Sequence, residues 1–315
     1  MKAIAIENYG SAEVLKYVNI DRPPITPDRM LIKVMASSVN PIDWKIRKGM
    51  LQILTGYNFP MQLGFDVAGE VIEVGEKVSK FKTGDAIYAY LDSLPGSAYA
   101  EYVTVTEKVT CLKPNNLNYR EAAVIPLAAT TALQALRDKG KIEKGQKVLI
   151  NGASGGVGTF AVQIAKAYQT EVTAVCSRRN IELVKNLGAD RVIDYQQQDF
   201  TQDKTKYHII LDAVSNRSFS ECDNSLLPQG IYITLLPSLE ILLQSFLNLI
   251  RDKKAELFFA KANSEDLAYL KNLIETDRIK PIIDRTYPLS EIVAAHNYSE
   301  TQRATGKIAI DISQS

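Results

Sequence analysis

A chain of 315 residues exceeds the size at which one hydrophobic core usually keeps growing, so two domains are expected. Lys and Arg number 37 against 36 Asp and Glu, a formal charge of +1, which gives no global field toward nucleic acid or a lipid surface. Cys111, Cys176 and Cys222 form no CxxC pair; this excludes a zinc ribbon and a disulfide framework and fits a reducing, cytoplasmic setting.

The opening residues, Met1 to Glu7, hold too short an apolar run for a secretory signal and read as a strand. Residues 31–34, 67–74, 86–90 and 102–105 are β-rich runs punctuated by Gly49, Gly64, Gly75, Gly84 and Gly96, which predicts an irregular β-barrel. From Arg120 the period changes. A helix over 128–137 leads into strands at 148–151, 172–176, 191–193, 208–212 and 231–235, with helices between them to about residue 280. That alternation predicts an α/β, doubly wound parallel sheet covered on both faces. Residues 239–250 read as a partly buried helix. The stretch is too short to span a bilayer, where about 20 apolar residues are needed, and it contains Glu240, Gln244, Ser245 and Asn248. Its basic end, Arg251-Asp252-Lys253-Lys254, reads as a solvated helix end and leaves room for peripheral membrane contact. After Pro281 the β-like text resumes and closes on Gly306 to Asp311, which is expected to rejoin the barrel. The predicted domains are therefore 1–121 with 282–315, and 122–281.

The most informative segment is Asn151-Gly152-Ala153-Ser154-Gly155-Gly156-Val157-Gly158, between an apolar strand and a helix. Glycines permit the sharp turn and close approach to a pyrophosphate, and the N–H groups and dipole of the helix N-terminus favour its charge. This predicts a Rossmann dinucleotide site. About 20 residues on, an NAD site usually carries Asp or Glu for the ribose, whereas this chain has Ser177-Arg178-Arg179-Asn180. A hydroxyl and two guanidinium groups suit a 2′-phosphate, so NADPH is expected; which Arg contacts it stays open.

Several ordered blocks carry a family resemblance: residues 38–49 (Ser-Val-Asn-Pro-Ile-Asp-Trp-Lys-Ile-Arg-Lys-Gly), Gly64 to Val71, Phe81 to Asp85, Thr131 to Leu136, the glycine turn, Leu187-Gly188-Ala189-Asp190 and Ala304-Thr305-Gly306-Lys307. Over essentially its whole length the chain resembles the zinc-independent quinone oxidoreductase branch of the medium-chain dehydrogenase/reductase superfamily. The wording is most similar to plant and bacterial quinone, alkenal and enone reductases. The resemblance implies a GroES-like β-barrel domain beside the Rossmann domain, with the active site between them. It places Asn40 and Thr131 near the nicotinamide, Ser154, Gly155, Gly156, Val157 and Gly158 at the pyrophosphate, and Ser177, Arg179 and Tyr195 around the 2′-phosphate. Leu235 and the pair Arg303-Ala304 are implied to approach the cofactor. Lys45 stands where many quinone reductases have Tyr; it would bind the nicotinamide ribose or polarise the substrate carbonyl, or else be a solvated barrel lysine. Similar proteins pair as homodimers through a Rossmann edge strand, expected here at 231–235.

Zinc members of the superfamily use Cys, His and acidic ligands to stabilise an alkoxide. Here Asn40 stands at the Cys position and Gly64-Phe65-Asp66 at Gly-His-Glu, while His208 and His296 read as structural. A metal-free site can still reduce an acceptor that is already electrophilic, because hydride addition to a conjugated system moves charge onto an oxygen that donors stabilise. The expected activity is NADPH-dependent reduction of a quinone or of the carbon–carbon double bond of an α,β-unsaturated ketone or aldehyde, with Asn40 and Lys45 orienting cofactor and carbonyl. Trp44, Tyr57 and Phe59 are candidates for an apolar wall or for barrel packing. Two rivals stand beside this reading. One is a non-catalytic NADPH-binding sensor or structural protein of the same fold; the other is an enoyl-thioester reductase, which should carry a Tyr where Lys45 stands.

Overall fold

The computed structural model describes residues 1–248 and 251–313. They form two compact units, one of Met1–Thr130, Lys261–Asp277 and Pro281–Ser315, the other of Thr131–Ala260 and Arg278–Lys280. In chain order the strands begin with β1 (Lys2–Ile6), β2 (Lys16–Asn19), β3 (Arg29–Val39), β4 (Met61–Gln62), β5 (Asp66–Val74), β6 (Ala86–Tyr90), β7 (Tyr102–Thr106) and β8 (Thr110–Leu112). There follow β9 (Lys147–Asn151), β10 (Glu171–Cys176), β11 (Arg191–Asp194), β12 (Tyr207–Asp212), β13 (Leu226–Thr234) and β14 (Lys254–Leu257), and the chain closes with β15 (Ile283–Pro288) and β16 (Lys307–Asp311). The helices are α1 (Pro41–Arg47), α2 (Gln52–Thr55), α3 (Tyr119–Ala123), α4 (Pro126–Gln134), α5 (Gly156–Ala167), α6 (Ile181–Asn186), α7 (Phe219–Cys222), α8 (Leu239–Leu247), α9 (Ser264–Glu275) and α10 (Ile292–Glu300).

The first unit is organised around β3, whose run of apolar and small residues is buried at nearly every position. One side of β3 pairs with β5; the other is shared, with β7 along Arg29 to Lys33 and β16 along Ala36 to Val39. The sheet order is β15-β16-β3-β5-β6-β8, and β2-β1-β4 forms a smaller sheet. Ile32, Val34, Val67, Val71, Ile87, Val103, Ile308 and Ile310 lie in one hydrophobic cluster. The terminal strand thus joins the N-terminal sheet as expected. The boundary differs from the sequence expectation, because residues 122–130 and 261–277 belong with this unit. The polar partners explain it: the Tyr88 hydroxyl donates to the Leu267 carbonyl at 2.6 Å, and Asn116 Nδ2 donates to the Ile274 carbonyl at 3.0 Å. These bonds tie α9, which continues the strand–helix alternation in sequence, to β6 and the loop after β8.

The second unit is a six-stranded parallel sheet of order β11-β10-β9-β12-β13-β14. Val148, Leu149 and Ile150 of β9 are fully buried, as expected for a strand covered on both faces. The order reverses between β9 and β12, and in open α/β sheets ligands bind beyond the carboxyl ends of the strands at such a point. Five strands follow the sequence reading. The sixth, β14, escaped it because Lys-Ala-Glu-Leu is short and has only one fully buried residue, Ala255. Its presence corrects the expected dimer edge, since residues 231–234 pair with β12 on one side and β14 on the other. Helix α8 ends at Leu247, and residues 249 and 250 of the expected helix lie outside the described residues. Among the described residues no helix is long and apolar enough to cross a membrane.

Candidate functional site

In the second unit the turn after β9 is shaped by its glycines. Gly152 adopts φ +78°, and a Cβ there would lie 2.4 Å from Val214. A Cβ on Gly158 would lie 2.1 Å from the Gly152 carbonyl oxygen, so the start of α5 packs directly on the turn. Gly155 is different. It has an ordinary extended backbone, φ −83°, and its Cβ would meet only the Gly152 carbonyl oxygen, at 3.4 Å. Glycine at 155 therefore keeps a surface open rather than relieving a clash. Beside it, the first-turn N–H groups of Gly156, Val157 and Gly158 precede any helical carbonyl that could accept them. This arrangement fits a pyrophosphate.

The expected 2′-phosphate residues lie past β10 and β11. Ser177 is half-buried, Arg178 and Arg179 are exposed, and Tyr195 is 59% exposed with its N–H donating to the Cys176 carbonyl at 3.2 Å. Asn180 behaves otherwise: it is buried, and its Nδ2 donates to Ser154 Oγ at 2.9 Å and to Ser177 Oγ at 3.4 Å. It ties the glycine turn to the segment after β10, so the two arginines stand beside a fixed frame.

A second buried frame went unread in the sequence. Asp212, at the end of β12, accepts from Asn151 Nδ2 (2.8 Å), the backbone N–H groups of Val214, Ser215 and Arg217, and the Tyr232 hydroxyl (3.1 Å). Ser215 Oγ in turn accepts from the Leu235 N–H at 3.2 Å. Asp212 thus ties the carboxyl ends of β9, β12 and β13 together and holds Leu235 at their rim. A lone Asp ending an apolar run is too common to signal this. Thr131 is buried on α4.

In the first unit Asn40 follows β3 directly and caps α1, with its N–H donating to Asp43 Oδ2 at 2.6 Å. Its carboxamide is consumed internally: Nδ2 donates to Asp66 Oδ2 at 2.8 Å, and Oδ1 accepts from Lys307 Nζ. Asp66 also accepts from Ser38 Oγ (2.5 Å) and the Leu127 N–H (2.8 Å), with Lys307 Nζ 3.6 Å away. Within its unit the Asn40 carboxamide therefore faces Asp66 and Lys307. Neither partner was read as a site residue. The available signal was a Lys opening the strand Lys-Ile-Ala-Ile-Asp, directly beside its apolar triplet; the structure buries every position of it.

Asp43 Oδ2 also accepts from the Tyr99 hydroxyl at 2.9 Å, and burial pushes its carboxyl up to about 7. Lys45, on the same helix, is half-buried, and burial lowers its ammonium from the usual range. Its Nζ lies 5.6 Å from the Trp44 ring, and it makes no ion pair among the described residues. Trp44 is buried, and Phe59 packs edge-on to Tyr9, so these two belong to the packing. Tyr57 is exposed, and with Met50, Ile53 and Leu54 it forms an exposed apolar turn around α2. Arg303 is exposed and Ala304 packs against the first unit's core.

The positions that the resemblance gives to zinc ligands do not fit that ion. Asn40 and Asp66 face an ammonium, and Phe65 is a core side chain. Among the described residues no group of three or more His, Cys, Asp or Glu is placed to hold a metal.

Comparison with known proteins agrees with this architecture. Residues 26–115 match the alcohol dehydrogenase GroES-like domain, and residues 187–310 match a family described as zinc-binding dehydrogenase. The chain is 36% identical to the chloroplast envelope quinone oxidoreductase homolog of Arabidopsis thaliana, covering 99% of this chain and 98% of that protein. It is 34% identical to the chloroplastic NADPH-dependent alkenal/one oxidoreductase of the same plant, covering 98% and 79%. Among solved structures, the quinone oxidoreductase from Coxiella burnetii superposes with a TM-score of 0.91 at 34% identity over 99% of both chains. With full-length relatives at this identity and a matching fold, the chain belongs to the quinone oxidoreductase branch of the medium-chain dehydrogenase/reductase superfamily.

Proposed function

We propose that this chain is an NADPH-dependent reductase of quinones or of α,β-unsaturated ketones and aldehydes. The observation that carries the reading is the open surface at Gly155 beside the Ser177-Arg178-Arg179 row, a frame for a pyrophosphate and a 2′-phosphate. Bound NADPH supplies the hydride. The N–H groups that open α5 hold the pyrophosphate, and Asn180 keeps Ser154 and Ser177 in register for the ribose phosphate. Thr131, Tyr195, Leu235, Arg303 and Ala304 complete the cofactor's surroundings in this reading.

Lys45 is the donor for the acceptor carbonyl. Half-buried and without a carboxylate partner among the described residues, Lys45 leaves its N–H donors open to an oxygen that gains charge during hydride addition. The apolar turn of Met50, Ile53, Leu54 and Tyr57 suits a flat, apolar acceptor. The relatives named quinone oxidoreductase and alkenal/one oxidoreductase support the two acceptor classes.

The test is steady-state NADPH oxidation against a panel of benzoquinones, naphthoquinones, alkenals, alkyl enones and an enoyl thioester. Turnover with quinones or enones, and none with the thioester, is expected. Tight NADPH binding without turnover of any acceptor would instead make the protein a sensor.

A further inference from the structure

Lys307 has no part in the proposed function, yet its ammonium stands where three strands and a helix meet. Strand β16 runs antiparallel to β3 with Ile308 opposite Val39, so Lys307 falls opposite Asn40. Its Nζ donates to the Val39 carbonyl at 3.2 Å and to Asn40 Oδ1, and lies 3.6 Å from Asp66 Oδ2. Lys307 is 4% exposed and Asp66 fully buried.

Two roles are open to such a lysine. It balances the charge of Asp66, without which a buried carboxylate is strongly destabilising. That role alone needs no contact with Asn40. The second contact does something else: it decides which way the Asn40 carboxamide faces, because only an oxygen can meet the ammonium and only the NH₂ can donate to Asp66. Asn40 is the residue on which α1 starts, and Lys45 sits one turn along that helix. With both ends of its amide held, Asn40 is a fixed origin for Lys45.

We propose that Lys307 is a positioning residue: through the Asn40 carboxamide it fixes the N-terminus of α1 and with it the place of Lys45 in the reaction. This rests on the proposed function. Two variants separate the roles. Lys307→Met removes charge and donor, whereas Lys307→Gln removes the charge and keeps an N–H for Asn40 Oδ1. Both leave Asp66 without its counter-charge and are expected to lower Tm alike. Only the Met variant is expected to lose kcat, by at least about tenfold, since small misplacements of a reacting group have effects of this size. NADPH affinity, read from cofactor fluorescence, should change less than about threefold in both, because that contact belongs to uniform binding.

Hydrogen exchange supplies a readout independent of turnover. Amides of residues 40–47 should exchange faster in Lys307→Met than in Lys307→Gln, with residues 156–167 unchanged in both. Equal kcat and equal exchange in the Met variant and the wild type would overturn the proposal, as would equal losses in the Met and Gln variants. Should Lys307→Met not fold, Lys307→Gln carries the test: kcat and exchange over 40–47 close to those of the wild type are required, and a loss of both overturns the proposal. A wild type that turns over no acceptor sinks the proposed function; the exchange measurement still decides the role of Lys307.

Discussion

Asp43 and His296 are both buried in the first unit, and burial acts on them in opposite directions. It raises Asp43 from its ordinary 3.8 to about 7, and it lowers His296 from 6.5 to about 3, helped by the nearby Arg47 charge. The folded chain keeps a proton on Asp43 that the unfolded chain releases, so this stability is complete below about pH 4 and is lost as pH rises toward 7. The folded chain refuses a proton on His296 that the unfolded chain takes up, so that stability is complete above about 6.5 and is lost as pH falls toward 3. Between about pH 4 and 6.5 the two slopes, each about 1.4 kcal/mol per pH unit, cancel. Together these two groups should therefore add no net slope of their own in this window. In urea titrations, measured relative to the wild type, His296→Gln should lose stability as pH rises across the window and Asp43→Asn should gain it; relative slopes of the same sign in both would refute the pairing. The sequence makes Asp43 visible only as part of a family motif, and His296 only as one of two histidines. Burial, which sets their chemistry, is a property of how α1 and α10 pack.

At the scale of elements, the strand, turn and helix around Gly155 were legible because their signal is local: an apolar run, glycines at fixed spacing and a helical period within about 20 residues. The structure divides the glycines by role. Gly158→Ala forces a Cβ to 2.1 Å from a backbone oxygen and is expected to cost about 1–3 kcal/mol of stability, the usual range for overpacking. Gly155→Ala meets nothing closer than 3.4 Å, so Tm should hold while NADPH affinity falls at least about tenfold, as expected when a methyl group blocks close approach of backbone to pyrophosphate. Calorimetry and fluorescence titration of the two variants check this split. Loss of Tm in Gly155→Ala with unaltered binding would assign Gly155 to the turn instead. Strand β14 was illegible because an edge strand needs only one buried side and four residues, and nothing in Lys-Ala-Glu-Leu alternates strongly enough to stand out.

For the whole molecule, cofactor choice is measurable as stability. NADPH at about 100 times its Kd should add about 2.7 kcal/mol to the unfolding free energy, and NADH at the same concentration much less. Replacing Arg178 and Arg179 together with Ala should bring the NADPH shift down to that of NADH; a wild type stabilised equally by both would remove the 2′-phosphate assignment. The sequence by itself determined the β-rich first part, the parallel sheet and its dinucleotide turn, because periodicity, glycine spacing and charge type act between near neighbours. It also pointed to the return of the C-terminal strand, since Gly306 to Asp311 has the wording of a strand with no local partner. Only the tertiary structure decided that α9 belongs with the first unit, that β14 covers β13, and that Lys307 faces Asn40 and Asp66. These depend on register between residues far apart in the chain. The identity of a buried lysine's partners is set by which strands meet, and no local pattern encodes that.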